Sequence, residues 1–180
     1  MRTSSMKKYV ITAMCITLCA VLPTVFHSIP NLASIVSPMH IPALLCGLIC
    51  GWPFGIACGL MGPALSSFVT GMPNMAVLPA MMGELAAYGA IAGLLMRILR
   101  TKNVYVSLYI SLVTAMLAGR VLAGVVRALI FMAGEYSFAL WVSSYFVTTL
   151  PGIAIQLVLI PIIYLALEKA RLIPARSGNK

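Results

Sequence analysis

Apolar residues run along this chain in long stretches, separated by short polar or glycine- and proline-containing segments. A membrane helix needs about 20 mostly apolar residues to cross roughly 30 Å of hydrocarbon. Residues 9–26, behind Lys7 and Lys8, form the first such stretch. No A-x-A cleavage site is visible, and further apolar spans follow, so this stretch reads as a retained helix and not a signal peptide. Residues 39–70 are apolar but interrupted by Gly51, Trp52, Pro53 and Gly55. A single helix of that length would reach roughly 48 Å, and Pro53 would remove one of its hydrogen bonds and clash with the preceding turn. Two shorter helices joined across residues 51–55 fit better. Gly47, Gly51, Gly55 and Gly59 recur at every fourth position, a spacing that lets helix backbones approach closely. Further spans are expected at 79–99, with Gly89-x-x-x-Gly93 inside, at 104–132, and at 146–167. The last contains Pro151 and Pro161, which membrane helices tolerate where neighbours satisfy the freed carbonyls. Continuous rather than alternating apolarity argues against a β-barrel. The expected fold is an all-α integral membrane protein of six transmembrane helices, forming one domain over residues 1–180.

Composition strengthens this reading. Apolar residues make up 62% of the chain and charged residues 8%, against about 25% charged in an average soluble domain. Twelve Lys and Arg face three acidic residues, all Glu, for a net charge of +9. Ten of the twelve cations lie in three patches: Arg2, Lys7 and Lys8; Arg97, Arg100 and Lys102; Lys169, Arg171, Arg176 and Lys180. None interleaves with aromatics as single-strand binders require, so nucleic acid is not an expected partner. With six spans, all three patches fall on one side, while residues 28–38, 71–78 and 133–145 contain no Lys or Arg. Lys and Arg concentrate on the cytoplasmic side of membrane proteins, so both termini are expected to be cytoplasmic.

Little in the chain points to catalysis. It contains no GxxxxGK[ST], HExxH or GxSxG motif and no Asp, and neither His has a carboxylate nearby in sequence. Neither an enzyme activity nor a cofactor is expected. Cys15, Cys19, Cys46, Cys50 and Cys58 all lie in apolar runs. Their i, i+4 pairs are not the CxxC of a zinc or redox site, and they are expected to act as small hydrophobes.

Charges at membrane depth cost several kcal/mol and default to functional hypotheses. Glu84 lies five residues from the expected outer start of the fourth span, roughly 8 Å along its axis. Arg127 lies about as far from the outer end of the fifth span, and Arg120 is two turns deeper on nearly the same face. His40, at the start of the second span, and Tyr88, one turn below Glu84, belong to the same layer. Outer loops would add Asn31, Asn74 and Trp141. Two arrangements are open: a Glu84–Arg ion pair that only fixes helix register, or a pocket open to the outside in which these groups orient a substrate. One Glu cannot neutralise two Arg, so a spare cation could meet an anionic group, unless Arg127 snorkels outward. Gln156 either joins the pocket or bonds a neighbouring helix.

PMHIPALLCGLICGWPFGIACGLMGPALSSFVTGMP at 38–73 and GELAAYGAIAGLL at 83–95 resemble the substrate-binding S-components of energy-coupling factor (ECF) vitamin transporters. AGRVLAGVVRALI at 118–130 and PGIAIQLVLIPIIYLALEKA at 151–170 continue the resemblance, which covers almost the whole chain. It implies a multi-pass protein of the bacterial cell membrane that captures a vitamin from outside. Its partners would be a transmembrane coupling protein and two cytoplasmic ATPases, which supply the energy. In the family, small residues spaced by four on the first helix form the docking face. Ala13, Thr17 and Ala20 take that place, with Thr17 departing from Ala-x-x-x-Ala. The MHIP segment and Glu84 look most like the pantothenate and vitamin B6 branches. An Arg would take the pantothenate carboxylate, and Glu84 a pyridoxamine-like amine. The alternative is a self-sufficient small secondary transporter or channel acting as a homo-oligomer, although repeated halves with matching broken helices are not visible.

Overall fold

The computed structural model describes residues 5–26, 36–99, 103–128 and 138–173. Among these residues there are seven helices and no strand. They are α1 (Ser5–Phe26), α2 (His40–Cys50), α3 (Trp52–Thr70), α4 (Leu78–Ile98), α5 (Val104–Val126), α6 (Phe138–Val142) and α7 (Leu150–Lys169). A π-helical turn, Ser143–Val147, follows α6. Arg2, Asn31, Arg100, Lys102, Arg176 and Lys180 lie outside the described residues, as do positions 129–132 of the expected fifth span.

Five helices, α1, α3, α4, α5 and α7, are long and apolar enough to cross a membrane. The expected second span differs. α2 has 11 residues, about 16 Å at 1.5 Å per residue, or roughly half the hydrocarbon thickness. It starts one residue after the expected 39, behind a turn in which Ser37 sits at φ +49°. It stops at Gly51, whose φ of 98° and ψ of 171° suit only a residue without a Cβ. The expected joint at 51–55 narrows to Gly51. Trp52 and Pro53 open α3 as its first residues, where the missing proline N–H costs nothing, and Gly55 lies inside that helix. The last span also starts later than expected, at Leu150, because 146 falls in the π-helical turn.

Glycines set the packing. A methyl group built on Gly47 or Gly55 would strike the backbone of Gly89, and one on Gly59 would strike Leu85 and Ala86. Gly93 in turn meets Trp52 N and the carbonyl of Gly47. The spacing of four therefore brings α2 and α3 backbone to backbone with α4, while Gly51 serves the turn instead. The cysteines join α1 to this layer. All five are buried and free, and they form one cluster. Cys19 Sγ donates to Met39 O at 3.5 Å, Cys46 Sγ to Thr12 Oγ1 at 3.6 Å, and Cys50 Sγ to Lys8 O at 3.7 Å. Among the described residues no group of three or more His, Cys, Asp or Glu is placed to hold a metal ion.

α5 packs on the other flank of α4, and α7 touches α2 and α5. Leu44, Leu48, Ala92, Met96, Leu108, Leu112, Ile160 and Tyr164 form the main core between these four helices. Large apolar side chains also cover the outside: Phe68 is 90% exposed, and Val10, Met61, Val158 and Ile162 are all more than half exposed. A helix apolar all round belongs in a large core or a membrane, and this chain is too small to bury five of them.

Candidate functional site

Four of the buried polar side chains, His40, Glu84, Arg120 and Gln156, lie near one end of the bundle. Glu84 lies six positions after the start of α4 at Leu78, Gln156 six after the start of α7 at Leu150, and Arg120 six before the end of α5 at Val126. Each is therefore about 9 Å in from that end at 1.5 Å per residue. His40 opens α2 in the same layer. All four are buried, with Gln156 fully so.

A chain of contacts links them. Tyr88 Oη donates to Glu84 Oε1 at 2.7 Å and accepts from Arg120 Nε at 3.0 Å. Helical spacing of four puts the Tyr88 hydroxyl beneath the Glu84 carboxylate. Gly119, one residue before Arg120, leaves room for the Tyr88 ring, which a Cβ there would strike. His40 Nε2 lies 3.4 Å from Glu84 Oε1, and the His40 and Tyr88 rings are 5.1 Å apart. His40 Nδ1 is 3.1 Å from the Ser37 carbonyl. A carbonyl only accepts, so Nδ1 carries the hydrogen.

Arg120 is held on its other side. Nη1 donates to Tyr145 O at 2.7 Å, and the guanidinium lies 5.6 Å from the Phe146 ring centre, within cation–π range. The Tyr145 carbonyl also accepts from Thr149 Oγ1 at 2.6 Å. It belongs to the π-helical turn, a departure from α-helical bonding that is frequent at functional sites. Trp141 Nε1 donates to Arg120 O at 3.2 Å and its ring packs edge-on against Phe146 at 5.2 Å. Gly124 makes space for that indole.

The arrangement differs from a direct ion pair. Glu84 and Arg120 share no direct ion pair among the described residues; the Tyr88 hydroxyl stands between them. Trp141 reaches the site from helix α6 and not from a loop. Arg127 caps α5, half-buried, and makes no described contact with the cluster, so the two Arg do not act as one face. Asn74 is exposed in the α3–α4 connection, and its Oδ1 accepts from Val77 N at 3.1 Å, helping to start α4 instead of closing a mouth. Asn31 lies outside the described residues.

Sequence reading missed Phe146, the Tyr145 carbonyl and the room supplied by Gly119 and Gly124. An aromatic after an apolar run carries no signal of its own, and a backbone carbonyl carries none at all. The glycines were visible, but their partners were not. On α1, Ala13 and Thr17 are exposed, while Ala20 is buried at 9%. Thr17 Oγ1 donates back to Ala13 O at 3.0 Å, so the exposed pair offers a small surface whose hydroxyl is already bonded.

A family model described as "ECF transporter, substrate-specific component" matches residues 7–164. None of the curated proteins and none of the solved structures compared matches the chain.

Proposed function

The chain belongs to the substrate-specific components of ECF transporters, and from that membership we propose that its buried polar layer captures a B6-type or pantothenate-like vitamin from outside the cell. Members of this family are the substrate-binding subunits of a transporter, not enzymes. They bind a small molecule and couple to ECF transmembrane and ATPase modules. The protein is a multi-pass membrane protein; its proposed location is the bacterial cell membrane.

One observation carries the ligand reading: Tyr88 separates Glu84 from Arg120. Two opposite charges that served only helix register would gain most by closing directly on each other, two parallel N–H···O bonds at a time. Held apart by a hydroxyl, the carboxylate and the guanidinium each retain hydrogen-bonding capacity for a third party. A small molecule with both donor and acceptor groups suits that pair.

The proposed delivery runs through α1, with Ala13 and Thr17 as the docking surface for the coupling protein; Ala20 would support it from within. Ala13→Trp is expected to abolish uptake by the assembled transporter while the isolated protein keeps its ligand affinity within twofold, because a bulky side chain blocks close helix approach. Uptake into liposomes by the protein alone, without coupling protein or ATPases, would defeat the transporter-subunit mechanism and favour a self-sufficient carrier.

The proposed topology has six crossings, with the short α2 as the second and both termini cytoplasmic. Ser177→Cys in an otherwise cysteine-free protein is expected to resist a membrane-impermeant thiol reagent in intact cells and to react after permeabilisation. Labelling in intact cells would reverse the orientation.

A further inference from the structure

Gln156 is fully buried, and its carbonyl oxygen Oε1 has no hydrogen-bond partner among the described residues. Its amide nitrogen points at two backbone carbonyls, Val36 O at 3.4 Å and Ser37 O at 3.5 Å. Exchanging the amide's oxygen and nitrogen would set an oxygen against those carbonyls, so the orientation is determined by its neighbours. Buried polar atoms are nearly always satisfied, and one that is not needs a reason.

The neighbourhood supplies one. The Ser37 carbonyl near the Gln156 amide also accepts from His40 N and lies beside His40 Nδ1, both at 3.1 Å. His40 Nε2 then faces Glu84 at 3.4 Å, longer than the roughly 2.7–2.9 Å of a charge-assisted bond. Gln156 Oε1 on α7 and the Glu84 carboxylate on α4 are therefore two acceptors in the same buried layer, with His40 on α2 placed between the Ser37 carbonyl and Glu84. The nearby cation, Arg120, stands on the α5 side and already donates to Tyr88 and to the Tyr145 carbonyl.

We infer that the ligand enters this layer with its hydrogen-bond-donor end, an amino group, directed at Glu84 and Gln156, and with its acceptor groups toward Arg120. The inference rests on the vitamin-capture reading above and narrows it: a B6-type amine fits the acceptor side, and a carboxylate does not. Gln156 is the neutral specificity-determining residue of that end. Its carbonyl takes an N–H that the Glu84 carboxylate does not use.

Calorimetry on the full chain in lipid nanodiscs tests this with pyridoxamine, 4-deoxypyridoxine (which lacks the donor group at that ring position) and pantothenate. Wild-type protein is expected to bind pyridoxamine more tightly than pantothenate. Gln156→Leu is expected to weaken pyridoxamine about tenfold and 4-deoxypyridoxine less than twofold. Gln156→Met, close in size but lacking the carbonyl and putting no oxygen against Val36 O and Ser37 O, is expected to weaken pyridoxamine in the same way, and it serves as the test should Gln156→Leu fail to fold. Tighter binding of pantothenate, an equal effect on both pyridine ligands in Gln156→Leu, or undiminished pyridoxamine binding in a folded Gln156→Met overturns the donor-end inference alone. If the wild-type protein binds none of the three, the vitamin reading falls and this inference with it.

Discussion

Gly89→Ala is expected to cost about 3 kcal/mol or more of stability, at the upper end of what overpacking produces. A Cβ there would stand 2.6 Å from Gly55 Cα, with the Gly55 carbonyl closer still, and a Cβ on Gly47 would stand 2.9 Å from Gly89 Cα. The obstacle is backbone, so no side-chain rotation relieves it and α3 and α4 must separate. Separation would also shift Tyr88 and Glu84, which precede Gly89 on α4 by one and five residues. Gly83→Ala is the control: it lies on the same helix, its Cβ meets nothing within 4 Å, and it should leave stability unchanged or slightly raised. Thermal unfolding of the two variants in one detergent is the measurement. Equal melting points would mean that the helices tolerate a wider separation than the glycine contacts imply.

Glu84→Gln is expected to keep the fold and lose 10- to 100-fold in affinity for an amine-bearing vitamin, as a charge-assisted contact worth roughly 1.5–3 kcal/mol disappears. Gln has the same shape and its oxygen still accepts from Tyr88, so the structural bond at 2.7 Å survives the change. The alcohol analogue, which gains less from a carboxylate than a cation does, should be hurt less. Arg120→Gln is the contrasting case. The Arg120 side chain is 3% exposed and bonded to Tyr88 and to the Tyr145 carbonyl. Its removal takes a charged donor from the Tyr88 hydroxyl and from the Tyr145 carbonyl and should lower stability together with affinity. Calorimetry and melting on the same preparations separate the two. If Glu84→Gln melts early but the surviving protein binds normally, the cluster is a structural device and the ligand sits elsewhere.

Much of the architecture follows from hydropathy alone, because a helix in lipid must satisfy its own backbone and so announces itself as an unbroken apolar run. That logic found the five long helices, the interruption at Gly51 and the depth of Glu84 and Arg120, since rise per residue converts sequence position into depth. It also indicated that Gly47, Gly55 and Gly59 pack closely. Depth does not convey direction around the helix, however, and does not say which neighbour stands opposite. Arg120 and Arg127 share a face on an ideal helix, yet among the described contacts it is Arg120 that meets Tyr88. Ala13 and Ala20 also share one, yet the second is buried by packing with the neighbouring helices. The insertion of the Tyr88 hydroxyl between two opposite charges, the capture of Arg120 by the Tyr145 carbonyl and Phe146, and the unpaired oxygen of Gln156 depend on contacts between residues 25 to 120 positions apart. Composition and periodicity describe one helix at a time; which groups meet across helices is decided only when glycine contacts set how closely those helices approach.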